Sequence, residues 1–132
     1  MIQTRKSNPR AEYRLQQSQR ALDSVSLAEK FPRLESLTVN LAYYDANDLT
    51  RNSELKYTVN VQHAKSMFCF VCPNGECVGG DFDLSEELGK AVTERRKLAV
   101  GEKRCQGWHR KAKLERSPCH ILLRYKLSIR YV

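Results

Sequence analysis

Residues 119–132 read CHILLRYKLSIRYV, and their alternation decides the fold. Ile121, Leu123, Tyr125, Leu127, Ile129 and Tyr131 fall on one face of an extended chain, while Leu122, Arg124, Lys126, Ser128 and Arg130 fall on the other. Successive strand side chains point to opposite faces, so this period of two predicts a half-buried antiparallel strand. Two upstream segments repeat it. In ESLTVNLAYY (35–44), Leu37, Val39, Leu41 and Tyr43 oppose Ser36, Thr38 and Asn40; in ELKYTVNVQ (54–62), Leu55, Tyr57, Val59 and Val61 oppose Lys56, Thr58 and Asn60. The turn-rich DANDLTRNS between them predicts their connection. MFCFVC (67–72) is apolar on both faces, as a covered strand would be.

Helical signals flank these strands. Residues 10–22, RAEYRLQQSQRAL, are rich in helix formers with sparse apolar positions at Ala11, Leu15 and Leu22. Ser26-Leu27-Ala28-Glu29 has capping-box spacing and predicts a short helix that ends by Pro32. Asp83 with Glu86 marks a further start, and Leu84, Leu88, Ala91, Val92 and Arg95 follow at helical spacing, predicting an amphipathic helix over 83–97. The expected architecture is α+β: an antiparallel sheet of about four strands with helices on one side. Residues 1–9 are expected to be disordered, and 10–132 to form one domain. The order helix, three strands, helix over about residues 10–97 resembles the double-stranded-RNA-binding domain. The likeness is one of element order, because the second helix opens on DFDLSEE, whose carboxylates suit a helix N-terminus but repel phosphate.

At 132 residues the chain can bury a core without covalent staples. No apolar run approaches the length of a membrane span, and MIQTRKSNPRAEYR lacks the apolar stretch of a signal peptide, so a cytoplasmic location with no membrane contact is expected. Disulfides rarely persist there, and clustered cysteines then point to metal or chemistry.

Five cysteines are present. Cys72-Pro-Asn-Gly-Glu-Cys77 folds at an Asn-Gly turn signal that brings its two thiols together. Cys105 and Cys119, thirteen residues apart, would supply a second pair only through tertiary folding. The pattern C-x4-C-x27-C-x13-C resembles the zinc-ribbon group in the broad sense, in which two ligand pairs from separate segments hold one structural Zn²⁺. Cys72, Cys77, Cys105 and Cys119 are therefore the expected ligands, with His109, His120 or Cys69 as substitutes. Lys103, Arg104 and Arg110 surround Cys105 in sequence and could offset the charge of a thiolate site. Cys69-Phe70-Val71-Cys72 has the spacing of a redox couple but not the helix N-terminus that lowers a catalytic thiol's pKa, and Cys69 alone reads as a small buried apolar side chain. His63 has no ligand spacing and reads as a surface residue.

Four good ligands close a zinc site to catalysis, and no phosphate-binding glycine motif or deaminase signature accompanies them. No enzymatic activity is expected. Charge suggests the partner. Residues 95–132 hold 12 Lys/Arg against Glu102 and Glu115, a net +10, whereas residues 1–94 hold 11 against 13, a net −2. An anionic partner for the C-terminal part is expected, namely nucleic acid as RNA or single strands. The contacts would be Trp108, Arg110, Lys111, Lys113, Arg124, Lys126 and Arg130. The competing expectation is a protein-interaction or assembly module, in which the last strand pairs with a partner's edge or the tyrosine-rich sheet self-associates.

Overall fold

The computed structural model describes residues 9–112 and 115–132. Its elements are α1 (Pro9–Asp23), α2 (Leu27–Lys30), β1 (Leu34–Asp45), β2 (Arg51–Val59), β3 (Cys69–Phe70), β4 (Phe82–Asp83), α3 (Ser85–Thr93), β5 (Leu98–Arg104), β6 (Trp108–Ala112), β7 (Glu115–Pro118) and β8 (Ile121–Tyr131). The expectation of disorder for residues 1–8 lies outside the described residues, while Pro9 already belongs to α1. The fold class is the α+β expected from the sequence.

A four-stranded antiparallel sheet in the order β2-β1-β8-β5 forms the body of the protein. The period of two places Leu37 opposite Ile129, Val39 opposite Leu127, and Tyr43 opposite Leu123, so the apolar sets of β1 and β8 share one face. That face is sealed by Leu84, Leu88 and Ala91 of the α3 region and by Leu27 of α2. Leu37, Leu41, Leu88, Leu123 and Leu127 are fully buried, and each such side chain contributes roughly 1.5–3 kcal/mol relative to exposure. Ser26 caps α2 by accepting the Glu29 amide hydrogen, as its spacing predicts.

Three sequence expectations need correction. MFCFVC does not join the sheet: only Cys69 and Phe70 are extended, and they pair with Asp83 and Phe82 in a separate two-residue ladder. The three-strand order shared with double-stranded-RNA-binding domains is therefore absent. The fourth sheet strand is β5, whose sequence LAVGEKR carries no apolar alternation because its inward positions are Ala99, Gly101 and Lys103. Gly101 is small because the Tyr125 ring lies across it; a Cβ there would sit 2.7 Å from Tyr125 Cζ. Finally, α3 begins after Leu84, and Asp83 instead accepts a hydrogen bond from the Ser85 amide in the preceding turn.

The other sheet face is mostly open and carries the exposed apolar Leu98 and Val100 of β5 beside its polar residues. Thr38, Asn40, Ser128 and Lys126 lie on it with Lys56 from β2 and Arg104 from β5. β8 is paired on both sides, so it has no free edge; the edges belong to β2 and β5. This overturns the expectation that the last strand could extend a partner's sheet.

Candidate metal centre

The ends of β5 and β8 carry Cys105 and Cys119 to the same end of the sheet. Cys105 N donates to Ile121 O at 2.9 Å, directly tying the exit of β5 to the entry of β8. Between the two cysteines the chain folds into the β6–β7 hairpin, with Trp108 opposite Pro118 and His109 opposite Ser117. Cys119 N donates to Gly107 O at 3.0 Å and closes the hairpin's base. Thirteen residues in sequence thus become neighbours in space, a closure that simple ligand spacing does not reveal.

The other two cysteines arrive on the 72–77 turn. Cys77 N donates to Asn74 O at 3.1 Å, and Glu76 N donates to the Asn74 side chain at 3.1 Å. Val78 and Trp108 then exchange two backbone hydrogen bonds, of 2.8 and 3.0 Å, which stitch this turn to the hairpin. Glycine makes the approach possible. A Cβ on Gly107 would lie 2.6 Å from Val78 O and 2.7 Å from Gly80 Cα and would strike Cys77 Sγ; one on Gly80 would strike both Cys77 and Cys105 Sγ. These two glycines are site residues that cysteine counting misses, and their adjacency to cysteine in CVGG (77–80) and CQG (105–107) is the signal that marks them.

The four Sγ atoms of Cys72, Cys77, Cys105 and Cys119 all lie within 4.8 Å of one another, and all four residues are buried. Cys77 and Cys105 are 3.5 Å apart and Cys72 and Cys119 3.7 Å. A tetrahedron with metal–sulfur arms of about 2.3 Å has edges of about 3.8 Å. The two measured edges match it and are far longer than a disulfide bond. All five cysteines are free thiols. The residues therefore fit a tetrahedral metal ion, and the group could hold one.

The electrostatics favour a cation here. Burial pushes the Cys77 thiol up to about 12, and the hydrogen bond to Cys105 together with burial pushes Cys72 higher still. Cys105 is pulled down to about 5, first by the Cys72 thiol hydrogen bond. Burial thus disfavours bare thiolates at Cys72 and Cys77, and a divalent cation would supply the compensating charge. Two donors already face them: Gly107 N lies 3.4 Å from Cys105 Sγ and Asn74 Nδ2 3.8 Å from Cys119 Sγ.

A second layer comes from α1. Arg10 donates to Asn74 O and Cys77 O, and Arg14 pairs with Asp81, so the helix straps the 72–81 turn through two arginines. Sequence offered no cue to this, because the contacts span more than sixty residues. Of the cations flanking Cys105 in sequence, Lys103 instead pairs with Glu87 at 2.7 Å, Arg104 lies on the open sheet face, and nothing is described of the Arg110 side chain.

The substitute ligands stand apart from the cluster. Cys69 Sγ lies 4.0 Å from the Asp81 carboxylate and is not one of the four clustered sulfurs, although the strand does break before Val71. His120 is exposed, and His109 Nδ1 is buried with no hydrogen-bond partner among the described residues. His63 is exposed.

The residues expected to meet nucleic acid divide into two groups. Trp108, Arg110 and Lys111 lie on β6, and Lys113 lies outside the described residues. Trp108 is half-buried, with the Arg116 guanidinium 4.3 Å from its ring centroid, so its face is already covered. Arg124, Lys126 and Arg130 are exposed on the open sheet face. Arg124 pairs with Glu102 at 3.2 Å and lies 5.0 Å from the Tyr44 ring, which Arg51 also covers at 5.8 Å. Tyr44 is a further residue of this face that sequence reading did not single out.

Among the described residues, no helix is long and apolar enough to cross a membrane. Comparison with family models, with curated protein sequences and with solved structures finds no match to this chain, which leaves its own geometry to carry the functional argument.

Proposed function

We propose that this is a non-catalytic structural-zinc protein that binds nucleic acid, as RNA or single strands, on the open face of its sheet. Zinc is the reading for the metal because four buried thiolates in a tetrahedron suit its soft-ligand preference and leave no open position for substrate. The ion fastens the entry of β8 and the basic β6–β7 hairpin to the 72–77 turn.

The observation that carries the nucleic-acid reading is the charge balance of the open face. A cleft of about 190 Å³ is lined by Thr38, Asn40, Lys56, Lys126 and Ser128, so two lysines flank a floor of hydrogen-bonding side chains. Glu54 and Glu102 on this face pair with Arg51 and Arg124. Lys56, Arg104, Lys126 and Arg130 then have no ion-pair partner among the described residues. Phosphates can take that place, and the guanidinium planes held against Tyr44 offer stacking surfaces for unpaired bases. Single strands suit such a face because their bases can spread across it.

Fluorescence anisotropy with a labelled single-stranded RNA tests the reading. Four phosphate contacts on a single strand give a log–log salt slope of about −3, hence roughly 50-fold weaker binding between 50 and 200 mM salt. The Lys56→Glu/Lys126→Glu variant should abolish binding at low salt. Wild-type protein that ignores RNA and DNA at 50 mM salt would overturn it.

The alternative, an assembly module, is favoured by the β2 edge. Leu55 and Tyr57 are on the apolar side of β1 but 49% and 37% exposed, beside a row of unpaired backbone groups. Concentration-dependent dimerisation that Leu55→Lys abolishes would support that reading instead.

A further inference from the structure

The geometry points to a second binding site, at the end of the sheet opposite the cysteine cluster, that takes a nucleoside phosphate. A cavity of about 500 Å³ opens between the 30–33 segment after α2, the end of α3, the start of β5 and the end of β8. That volume lies within the roughly 300–1,000 Å³ of small-molecule sites.

Its wall is apolar and fixed. Phe31 packs against Gly89, where a Cβ would come within 3.9 Å of its ring. The Tyr131 hydroxyl donates to Arg96 O at 2.7 Å and lies 3.2 Å from Ala91 O, which holds its ring against the end of α3. Val92 and Pro32 complete a surface against which a planar base can lie. Around that wall stand four cations, Lys30, Arg33, Arg95 and Lys97, with Lys30 Nζ 5.6 Å from the Phe31 ring centroid; Val132 is also in the lining, and no Asp or Glu is. None of the four has an ion-pair partner among the described residues.

This combination selects the ligand class. A purely apolar ligand would leave the cluster of like charges uncompensated, and a bare inorganic anion would leave the Tyr131, Val92 and Pro32 part of the wall uncovered. One carboxylate of a fatty acid would answer only part of the charge. A base on the Phe31–Tyr131 wall with two or more phosphate charges among the cations satisfies both, and paired arginines suit phosphate geometry. The ligand can be a free nucleotide or the phosphorylated end of a strand. The site rests on different residues from the open sheet face and stands without the nucleic-acid reading.

Isothermal titration of the metal-loaded full chain with ADP, adenosine, pyrophosphate and octanoate tests the proposal. ADP should bind at least tenfold more tightly than pyrophosphate, while adenosine and octanoate should show no saturation. Arg33→Glu/Lys97→Glu, both exposed positions, should weaken ADP at least 30-fold with unchanged thermal unfolding, and Lys56→Glu/Lys126→Glu should leave it unaltered. A 5′-phosphorylated oligonucleotide that binds more tightly than both ADP and its 5′-hydroxyl form, and loses that advantage in Arg33→Glu/Lys97→Glu, would assign the site to strand ends; ADP binding as tightly as the phosphorylated strand would assign it to free nucleotide. No ADP binding at 1 mM, binding that survives the charge reversals, or preference for octanoate would overturn the proposal.

Discussion

Replacing Gly107 with alanine adds one methyl group at the point where the two halves of the cysteine cluster touch. Its Cβ would sit 2.6 Å from Val78 O and 2.7 Å from Gly80 Cα, whereas ordinary contact begins near 3.4 Å. The backbone must therefore separate by about 0.7–0.8 Å, several times the ±0.2 Å tolerance of metal–ligand distances. Besides the Cys77 sulfur, itself a proposed ligand, both of these obstacles are backbone atoms, so no rotamer change relieves them. Overpacking of this kind costs about 1–3 kcal/mol, and about 2 kcal/mol placed on the bound state weakens metal affinity some 30-fold. Gly75→Ala is the matched control, because Gly75 lies in the 72–77 turn of the same cysteine cluster yet has nothing within 4 Å of a new Cβ. Competition with a chromophoric chelator reads the affinity of both variants. Equal zinc retention by Gly107→Ala and wild type would refute the packing argument, as would equal loss in Gly75→Ala.

Other outcomes follow from the same geometry. Cys77→Ala should lose the metal, whereas Cys69→Ser should keep one ion per chain by elemental analysis. Cys69 itself is raised to about 11 by burial and then by Asp83, so at neutral pH its alkylation should run about 100-fold slower than an unperturbed thiol's. The rate should climb about tenfold per pH unit towards 11; because the folded state favours the protonated thiol, its contribution to stability holds below about pH 9 and fades as pH rises through 11. Leu127→Ala, at the centre of the covered face, should cost about 2–5 kcal/mol in denaturant unfolding. Arg10→Ala should leave the metal stoichiometry at one but speed its removal by chelator, since α1 straps the turn through this side chain.

What could be read from the sequence follows the physics of each signal. β1 and most of β8 were legible because one face is buried and the other is wet, which imposes alternation; Leu122, buried on the other face, is an exception. β5 was not, since its inward side had to be small beneath Tyr125, and smallness carries no hydropathic period. MFCFVC misled for the opposite reason: Phe68 and Cys72 are buried in the core without belonging to the main sheet. The four cysteines could be paired on paper, yet their meeting depends on a hairpin, a reciprocal Val78–Trp108 bridge and two glycines that only the folded chain brings together. The arginine strap from α1 is wholly tertiary.

The proposed zinc site, four thiolates of one chain around one ion, is best checked by metal content and thiol accessibility on the same native sample. One zinc per chain and at most slow reaction of Cys69 are expected, with all five thiols reacting once a strong chelator removes the ion. Near-UV circular dichroism should collapse at the same step, because structural zinc supplies about 10–16 kcal/mol of apparent folding free energy, as much as a typical domain's whole stability. A metal-free chain with an unchanged near-UV spectrum and unchanged thermal unfolding would contradict it.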